Sequence, residues 1–344
     1  MISPKAYFSG WDIGGAHVKV SRCDWQGNII QNLELPCQLW KGITGLSETL
    51  KKSLQQFDNR EDRHFITLTG ESADCFTNRQ QGVVQILDCV QQLIDPDNCV
   101  VFSQSQDWLT ISQAQQCWQQ VASMNWLATA TWCGIEHPDA LLIDIGSTTA
   151  DLICIINGKP TLKGFTDQAR LQSGELVYNG VIRTPLMALA QDVPFSGLHQ
   201  RVANEVFATT ADVWRLQNML PVDIADSSAD GQSWQAQHCQ QRLARMVGSD
   251  AENYSKETWQ ELAEWYGQQQ IQQLLQACQQ VIETHKLMPE APVIGAGVGR
   301  FLALTLAQKL NRPYLDMADL QLNAQATIGA PATALALLGW RQFT

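Results

Sequence analysis

Three short turns in this chain combine glycine with residues suited to binding phosphate and a metal ion. They are DIGGAH at residues 12–17, DIGSTTAD at 144–151 and IGAGVGR at 294–300. Glycine lets the backbone approach a ligand closely, and successive backbone N–H groups in such turns form a pocket for an anion. An aspartate at a strand end commonly holds Mg²⁺, which itself contacts the phosphate. In this order and at these separations, the turns predict a cleft that holds a polyphosphate.

Each turn supplies candidate ligands. Asp12 and Asp144 are the predicted Mg²⁺ ligands, and the alternative is that each aspartate caps its own turn. The third turn precedes a predicted helix, whose N-terminus favours an anion. The candidate phosphate-binding residues are Gly14, Gly15, His17 and Lys19 in the first turn, Gly146, Ser147, Thr148 and Thr149 in the second, and Gly295 and Gly297 in the third. For Lys19, a solvated surface position is the alternative.

Two arginines, Arg170 and Arg183, flank Glu175 and Tyr178 within one segment. A guanidinium fork suits a diphosphate. At least one of the two arginines is therefore expected in the site, while a structural salt bridge is the alternative for the other. The histidines beyond His17 show no metal-ligand spacing.

The hydrophobic pattern predicts the elements that position these residues. The first 35 residues predict short strands with a hairpin turn at Gln26-Gly27-Asn28. At residue 139 the pattern restarts, because an apolar strand, Asp-x-Gly, hydroxyl residues and a second strand repeat the opening unit in outline. This repeat predicts two related domains that face one another.

The remaining pattern predicts an alternation of helices and strands. Helices are expected near 45–57, 78–94, 111–133, 256–287 and after the third turn, with strands at 64–70 and 98–103. The predicted domains are 1–137 and 138–330, the second with an inserted segment at about 186–255. A C-terminal helix at 331–344 is expected to pack back on the first domain.

Composition limits the class of protein. The 344 residues are 45% hydrophobic and 17% charged, which excludes general disorder. A net charge of −11 argues against nonspecific electrostatic binding of nucleic acid. No apolar run is long enough to predict a membrane-spanning segment. Ten cysteines without a CxxC pair, and no export signal, favour reduced thiols in a cytoplasmic protein.

A set of segments through nearly the whole chain carries a family resemblance. They are residues 11–19, 68–83, 125–130, 143–152, 170–185, 205–213 and 242–250. The three turns resemble the first phosphate, second phosphate and adenosine motifs of the actin–hexokinase–sugar-kinase superfamily. Within it, the chain resembles the hydantoinase A/oxoprolinase group. It is most similar there to the tetrahydromethanopterin-linked C1-transfer pathway branch, which includes a methanofuran-biosynthesis synthase.

The resemblance implies an α/β fold with two actin-like, ribonuclease H-like domains and a ligand cleft between them. It also implies a transferase that couples an aminomethylfuran diphosphate to the phenol oxygen of γ-glutamyltyramine or a tyrosine-like acceptor and releases diphosphate. The expected cofactor is Mg²⁺ or another divalent cation. Attack by a phenol needs a base for its proton. Glu71, Asp151 and Glu175 are the candidates, and the sequence does not choose among them. Trp126 and Tyr178 are candidates for lining the pocket of the aromatic substrate.

One departure from the superfamily bears on the choice of reaction. The first turn has Ala16-His17 where many kinases place Thr or Ser, which disfavours phosphoryl transfer from ATP and favours the methanofuran-type branch. Two alternatives stay open: an ATP-dependent kinase or hydantoinase/oxoprolinase-type amidase, with adenine at 295–300, and a non-catalytic nucleotide-binding regulator. The expected partners are a small-molecule diphosphate and a phenolic amine, without nucleic acid or membrane. A homodimer also stays open.

Overall fold

A computed structural model describes residues 7–58, 61–224, 226–320 and 329–344 of the chain. They form two compact units. The first comprises Met1–Ala140, Ile153–Ala169 and Asp316–Thr344, and the second comprises Leu141–Leu152 and Arg170–Leu315. The sequence placed residues 153–169 in the second domain. They belong to the first unit because Gly158 donates its N–H to the Pro138 carbonyl at 2.8 Å and lies against Gly134.

Strands and helices are interspersed along the chain. The strands are β1 (Phe8–Ile13), β2 (His17–Cys23), β3 (Ile29–Pro36), β4 (Arg63–Leu68), β5 (Cys99–Phe102), β6 (Trp108–Leu109), β7 (Ala140–Ile145), β8 (Ala150–Ile156), β9 (Lys159–Thr161), β10 (Leu176–Val177), β11 (Asp192–Phe195), β12 (Leu198–Arg201), β13 (Val293–Ala296) and β14 (Tyr314–Asp316). The helices are α1 (Ile43–Phe57), α2 (Arg79–Gln91), α3 (Ile111–Gln116), α4 (Asn125–Glu136), α5 (Asp167–Ser173), α6 (Leu186–Leu189), α7 (Thr210–Leu216), α8 (Ala236–Met246), α9 (Lys256–His285), α10 (Arg300–Lys309) and α11 (Ala330–Phe343). Short 3₁₀ turns lie at Leu39–Lys41, Pro96–Asn98, Trp118–Gln120, Ala251–Asn253 and Met317–Asp319.

The sheet of the first unit has the order β3-β2-β1-β4-β5-β6. Strand β1 pairs antiparallel with β2 and parallel with β4, and β4 pairs parallel with β5. All six residues of β1 are buried, as expected for a central strand covered on both faces. The carboxyl ends of β1 and β4 therefore meet at one edge of the sheet, where the first turn begins.

The C-terminal helix α11 covers one face of this sheet. A Cβ atom on Gly10 would lie 1.9 Å from the Ala332 carbonyl oxygen, so only glycine allows the helix to approach β1 this closely. The hydroxyls of Ser21 and Thr333 are 2.7 Å apart across the same contact. The last helix of the chain thus packs on its first strand.

The sheet of the second unit has the order β10-β8-β7-β13-β14, with β13 parallel to β7. The 30-residue helix α9 packs against α7, α8 and α10. Its N-terminus is capped by Ser255, whose side chain accepts the Thr258 N–H, and it ends where Lys286 takes a left-handed conformation.

The predicted helix at 111–133 is interrupted. The structure has α3, a 3₁₀ turn and then α4, and Ser123 between them has φ = +55°. A left-handed residue cannot continue a right-handed helix. In the described part of the chain, no helix has both the length and the apolar surface that crossing a bilayer requires.

Candidate active site

The first glycine turn, which connects β1 to β2, is built from closely packed backbone. The Gly14 N–H donates to the His17 carbonyl at 3.0 Å, and a Cβ on Gly14 would lie 2.8 Å from that oxygen. The N–H groups of Thr69 and Gly70 both donate to the Ile13 carbonyl at 3.0 Å. The turn and the segment after β4 therefore form one backbone-lined surface that side chains would block.

Asp12 lies beneath this turn and is 5% exposed. It is paired across the sheet with Lys19 and accepts a hydrogen bond from Thr69 Oγ1 at 3.3 Å. Burial raises the pKa of Asp12, while the Lys19 charge acts in the opposite direction. His17 Nδ1 and Lys19 Nζ lie 3.8 Å and 4.0 Å from the same Glu34 oxygen. The two candidate phosphate ligands of β2 therefore point the same way.

The described residues could bind a magnesium ion that is also coordinated by the phosphate groups of a ligand. Among them, no group of three or more histidine, cysteine or acidic side chains converges on a point. Mg²⁺ typically keeps several waters and uses one or two carboxylates together with phosphate oxygens. A buried carboxylate such as Asp12, whose ionised form is disfavoured by burial, gains from a nearby cation. Asp144, half-buried at the end of β7, is the corresponding residue of the second unit.

Glu71 follows β4 directly after Gly70 and is fully buried. The Ser123 hydroxyl donates to Glu71 Oε1 at 2.6 Å, while Oε2 is buried with no hydrogen-bond partner among the described residues. Burial raises the pKa of Glu71, and the Ser123 hydrogen bond and the Arg79 charge act against that rise. When ionised, a carboxyl group with a raised pKa accepts a proton more readily than an ordinary glutamate does.

The other two candidate bases lie in a buried network of the second unit. Arg170, 1% exposed, donates to Asp151 Oδ1 at 2.8 Å and to the Glu175 carbonyl at 3.1 Å. Glu175 Oε1 lies 2.7 Å from His285 Nε2. Arg170 is the cationic partner of Asp151, and His285 is the hydrogen-bond partner of Glu175. Arg170 thus forms a buried salt bridge, and its role toward diphosphate stays a prediction.

The second and third turns are neighbours in the second unit. Strand β13 pairs with β7 so that Ala296 lies opposite Asp144. Gly297 has φ = +79°, and a Cβ there would lie 2.5 Å from Asp144 Oδ1. The carboxyl ends of adjacent parallel strands commonly line a ligand site. At Gly295 the constraint is a side-chain contact, because a Cβ there would lie 2.5 Å from the Tyr314 hydroxyl.

The second turn is held from one side by residues 180–183. The Gly146 N–H donates to the Thr149 carbonyl at 2.8 Å, and the N–H groups of 180–183 donate to the carbonyls of residues 146–148. A Cβ on Gly180 would lie 2.5 Å from the Ser147 carbonyl. The side chains of residues 147–149 stay partly exposed. Among the described residues, the Ser147 and Thr148 N–H groups have no acceptor, which suits an anion nest.

Three further candidates have different surroundings. Arg183 forms an ion pair with Asp226, with Nε 2.7 Å from Oδ1, and remains 38% exposed. Tyr178 is 59% exposed. Trp126 is 2% exposed, with its ring 6.4 Å from that of Phe165, and thus packs as core. Their roles in substrate binding stay predictions.

Sequence reasoning missed several residues that the structure places around these turns. They are Ser123 beside Glu71, His285 beside Glu175, and Gly180, Thr210 and Gln270 beside the second turn. Gly180 lies within the segment that carries the family resemblance, so its residue type was a usable signal. The buried glutamine of α9 has no such signal, because its helix is rich in solvated glutamines.

The fold and these turns define a two-unit α/β protein with candidate phosphate-binding turns, and comparison with known proteins identifies its family. The chain belongs to the hydantoinase/oxoprolinase family, whose model matches residues 64–341. A synthase of Methanocaldococcus jannaschii, "(4-{4-[2-(gamma-L-glutamylamino)ethyl]phenoxymethyl}furan-2-yl)methanamine synthase", is 32% identical over 72% of this chain and 73% of its own. The synthase of the same name from Methanococcus vannielii is 31% identical over 43% of this chain and 67% of its own.

Among solved structures, nucleotide-free acetone carboxylase shows a similar fold. The match covers 96% of this chain and 70% of that chain, with a TM-score of 0.58 at 9% identity. At this identity the likeness concerns the fold alone. The expected α/β fold, the hydantoinase/oxoprolinase family and the similarity to these two synthases are confirmed, and the chain is an enzyme.

Proposed function

We propose that this enzyme is a transferase that couples an aminomethylfuran diphosphate to the phenol oxygen of γ-glutamyltyramine or a tyrosine-like acceptor. The observation that carries the proposal is the relationship to a synthase named for the corresponding ether, over 72% of the chain. The anion nest of the second turn would bind the diphosphate, and the buried carboxyl group of Glu71 would accept the phenol proton. The product would belong to methanofuran-type cofactor biosynthesis.

The reaction forms one carbon–oxygen bond and breaks another. The phenol oxygen bonds to the furfuryl CH₂, and the bond from that carbon to the diphosphate oxygen breaks, with its electron pair leaving on diphosphate. The furan ring stabilises positive charge at the CH₂, so the main catalytic task is to stabilise the departing diphosphate. Bound Mg²⁺, for which Asp12 and Asp144 are the candidate ligands, would supply positive charge to that leaving group.

The phenol must also lose its proton, and we assign that proton to Glu71. Asp151 has the Arg170 guanidinium as its partner and Glu175 has His285, whereas the hydrogen-bonded oxygen of Glu71 contacts the neutral hydroxyl of Ser123. Its raised pKa makes the ionised form a stronger base than an exposed glutamate. The Ser123 hydroxyl fixes the other oxygen and thereby orients the carboxyl group.

The second candidate function is an ATP-dependent kinase or amidase. The similarity of fold to acetone carboxylase keeps this class open, since that structure was solved in a study of an ATP-dependent reaction. Against kinase activity stands Ala16 in the first turn, where a hydroxyl would be expected. A non-catalytic nucleotide-binding regulator is disfavoured by the relatives, which are synthases.

Product accounting by mass spectrometry tests the proposal. The purified protein is incubated with aminomethylfuran diphosphate, γ-glutamyltyramine and Mg²⁺, with and without ATP. Ether and diphosphate formed in equal amounts without ATP would support the transferase. If the bridging oxygen of the substrate is ¹⁸O, the label should appear in diphosphate, because the carbon–oxygen bond breaks. The matched control replaces the phenol acceptor with its deoxy analogue. The proposal would be refuted if no ether forms in the incubation without ATP and ADP appears in the incubation with ATP.

A further inference from the structure

The Gly180 carbonyl accepts an unusual number of hydrogen bonds. Thr184 Oγ1, Thr210 Oγ1 and Gln270 Nε2 donate to its oxygen at 3.0, 2.9 and 2.9 Å. Thr210 and Gln270 are fully buried, and Thr184 is 6% exposed. A carbonyl oxygen has two lone pairs, so three donors polarise its peptide group strongly. This peptide group lies directly beside the second turn.

Polarisation of this peptide group is passed to the second turn through one hydrogen bond. The N–H of the same peptide group belongs to Val181 and donates to the Gly146 carbonyl at 3.1 Å. That carbonyl in turn shares its peptide group with the Ser147 N–H. Hydrogen bonds in a chain strengthen one another, because each polarised carbonyl makes its own N–H a better donor. The chain ends on an N–H that has no acceptor among the described residues.

Gln270 is itself held in place at the start of this chain. Its Oε1 accepts the Trp214 indole N–H at 2.6 Å, which fixes the orientation of the amide. Its Nε2 then donates to the Asn179 carbonyl at 3.1 Å as well as to Gly180. A buried amide with all these bonds satisfied connects the middle of α9 to the segment that supports the second turn.

We infer that Gln270 and Thr210 are positioning residues for diphosphate. They act through the Gly180 carbonyl and the Val181 N–H to polarise and orient the Ser147 N–H toward an oxygen of the anion. The inference rests on the proposed function, because it takes the diphosphate of that reaction as the ligand of the second turn. It adds two residues, on α7 and α9, that never touch the ligand.

Binding of inorganic diphosphate in the presence of Mg²⁺, measured by titration calorimetry, tests the inference. Gln270→Met keeps the side-chain length but removes both ends of the amide, and we expect it to weaken diphosphate binding about tenfold. Thr210→Val removes one donor to Gly180 at nearly constant volume and should weaken binding in the same direction. Thr210→Ser keeps the hydroxyl and should restore wild-type affinity, which a purely steric role for Thr210 does not predict.

The matched control is Gln280→Met on the same helix, where Gln280 Nε2 donates to the Ser173 carbonyl at 3.1 Å, away from the second turn. This variant should bind diphosphate as the wild type does. Thermal unfolding verifies that each variant is folded, and if Gln270→Met does not fold, the Thr210 pair alone decides the question. In turnover assays, the KM for the diphosphate substrate should rise while the KM for the phenol stays constant.

The outcomes separate this inference from the proposed function. Wild-type affinity in folded Gln270→Met, or in Thr210→Val when only that variant folds, would overturn the inference while leaving the transferase untouched. A wild-type protein that binds diphosphate but forms no ether would refute the transferase and leave the positioning role supported by the variants. A wild-type protein that binds no diphosphate at all would overturn the inference, because the second turn would then not be a diphosphate site.

Discussion

Replacing Glu71 by glutamine tests the assignment of the catalytic base. The glutamine can still accept the Ser123 hydrogen bond through its carbonyl oxygen, so the buried geometry at Oε1 is preserved. It cannot accept the phenol proton, however. General-base catalysis contributes about 10²- to 10⁴-fold to a rate. We therefore expect turnover of Glu71→Gln to fall by a factor in that range, while binding of inorganic diphosphate stays unchanged.

The same substitution has a predictable effect on stability. Burial raises the pKa of Glu71 above its ordinary value of 4.5, so the folded protein retains this proton at pH values where the unfolded chain has lost it. The free energy of unfolding of the wild type therefore decreases as pH rises from about 4.5 to the folded-state pKa. The decrease is about 1.4 kcal/mol for each pH unit in that interval.

Glu71→Gln lacks this titration. The free energy of unfolding of the variant minus that of the wild type should therefore increase from about pH 4.5 to the folded-state pKa of Glu71 and stay constant at higher pH. Urea unfolding at pH 5 and pH 8 measures the difference, and ether formation measured by mass spectrometry gives the turnover. Turnover within about threefold of the wild type would refute the role as base. A stability difference independent of pH would refute the raised pKa.

Three further substitutions test neighbouring parts of the site. Ser123→Ala removes a hydrogen bond to the ionised carboxylate and should raise the pKa of Glu71 further, which moves the acid limb of the pH–rate profile to higher pH. Ser53→Ala, at another buried serine, should leave that limb in place. Asp144→Asn should lower turnover by about 10²-fold or more at saturating substrate with the thermal unfolding midpoint retained, and near-normal turnover would exclude its Mg²⁺ role. Gly180→Ala should weaken binding of inorganic diphosphate by about tenfold or more in calorimetry, because its Cβ would displace the second turn, and unchanged affinity would show that the turn tolerates the shift.

The predicted elements were most accurate where a local pattern determines local structure. The helix predicted at 256–287 is α9 (Lys256–His285), and the helix predicted from residue 331 is α11 (Ala330–Phe343). The strand expected at 64–70 is β4 (Arg63–Leu68). Helical and strand periodicities follow from backbone geometry, and their hydrophobic faces are visible in any short window of sequence.

The prediction of one helix over residues 111–133 was wrong, because the helix is interrupted by a contact with a residue that is distant in the sequence. The residues there favour a helix, but Ser123 adopts φ = +55° and places its hydroxyl 2.6 Å from Glu71, which lies 52 positions earlier in the chain. A contact with a buried carboxyl group outweighs a helix propensity of a few tenths of a kcal/mol per residue. Tertiary structure therefore interrupts the predicted helix just before α4, which begins at Asn125.

The sequence by itself determined the α/β class, the three glycine turns and the aspartates beside them, because glycine types and strand patterns are local. Only the tertiary structure decided which carboxylates are paired. Glu175 and His285 are 110 positions apart, and no periodicity connects them. The hydrogen bonds from Thr210 and Gln270 to Gly180 likewise depend on how α7 and α9 pack on the second unit. Such contacts join distant segments through buried polar groups, and single side chains of this kind leave no pattern in the sequence.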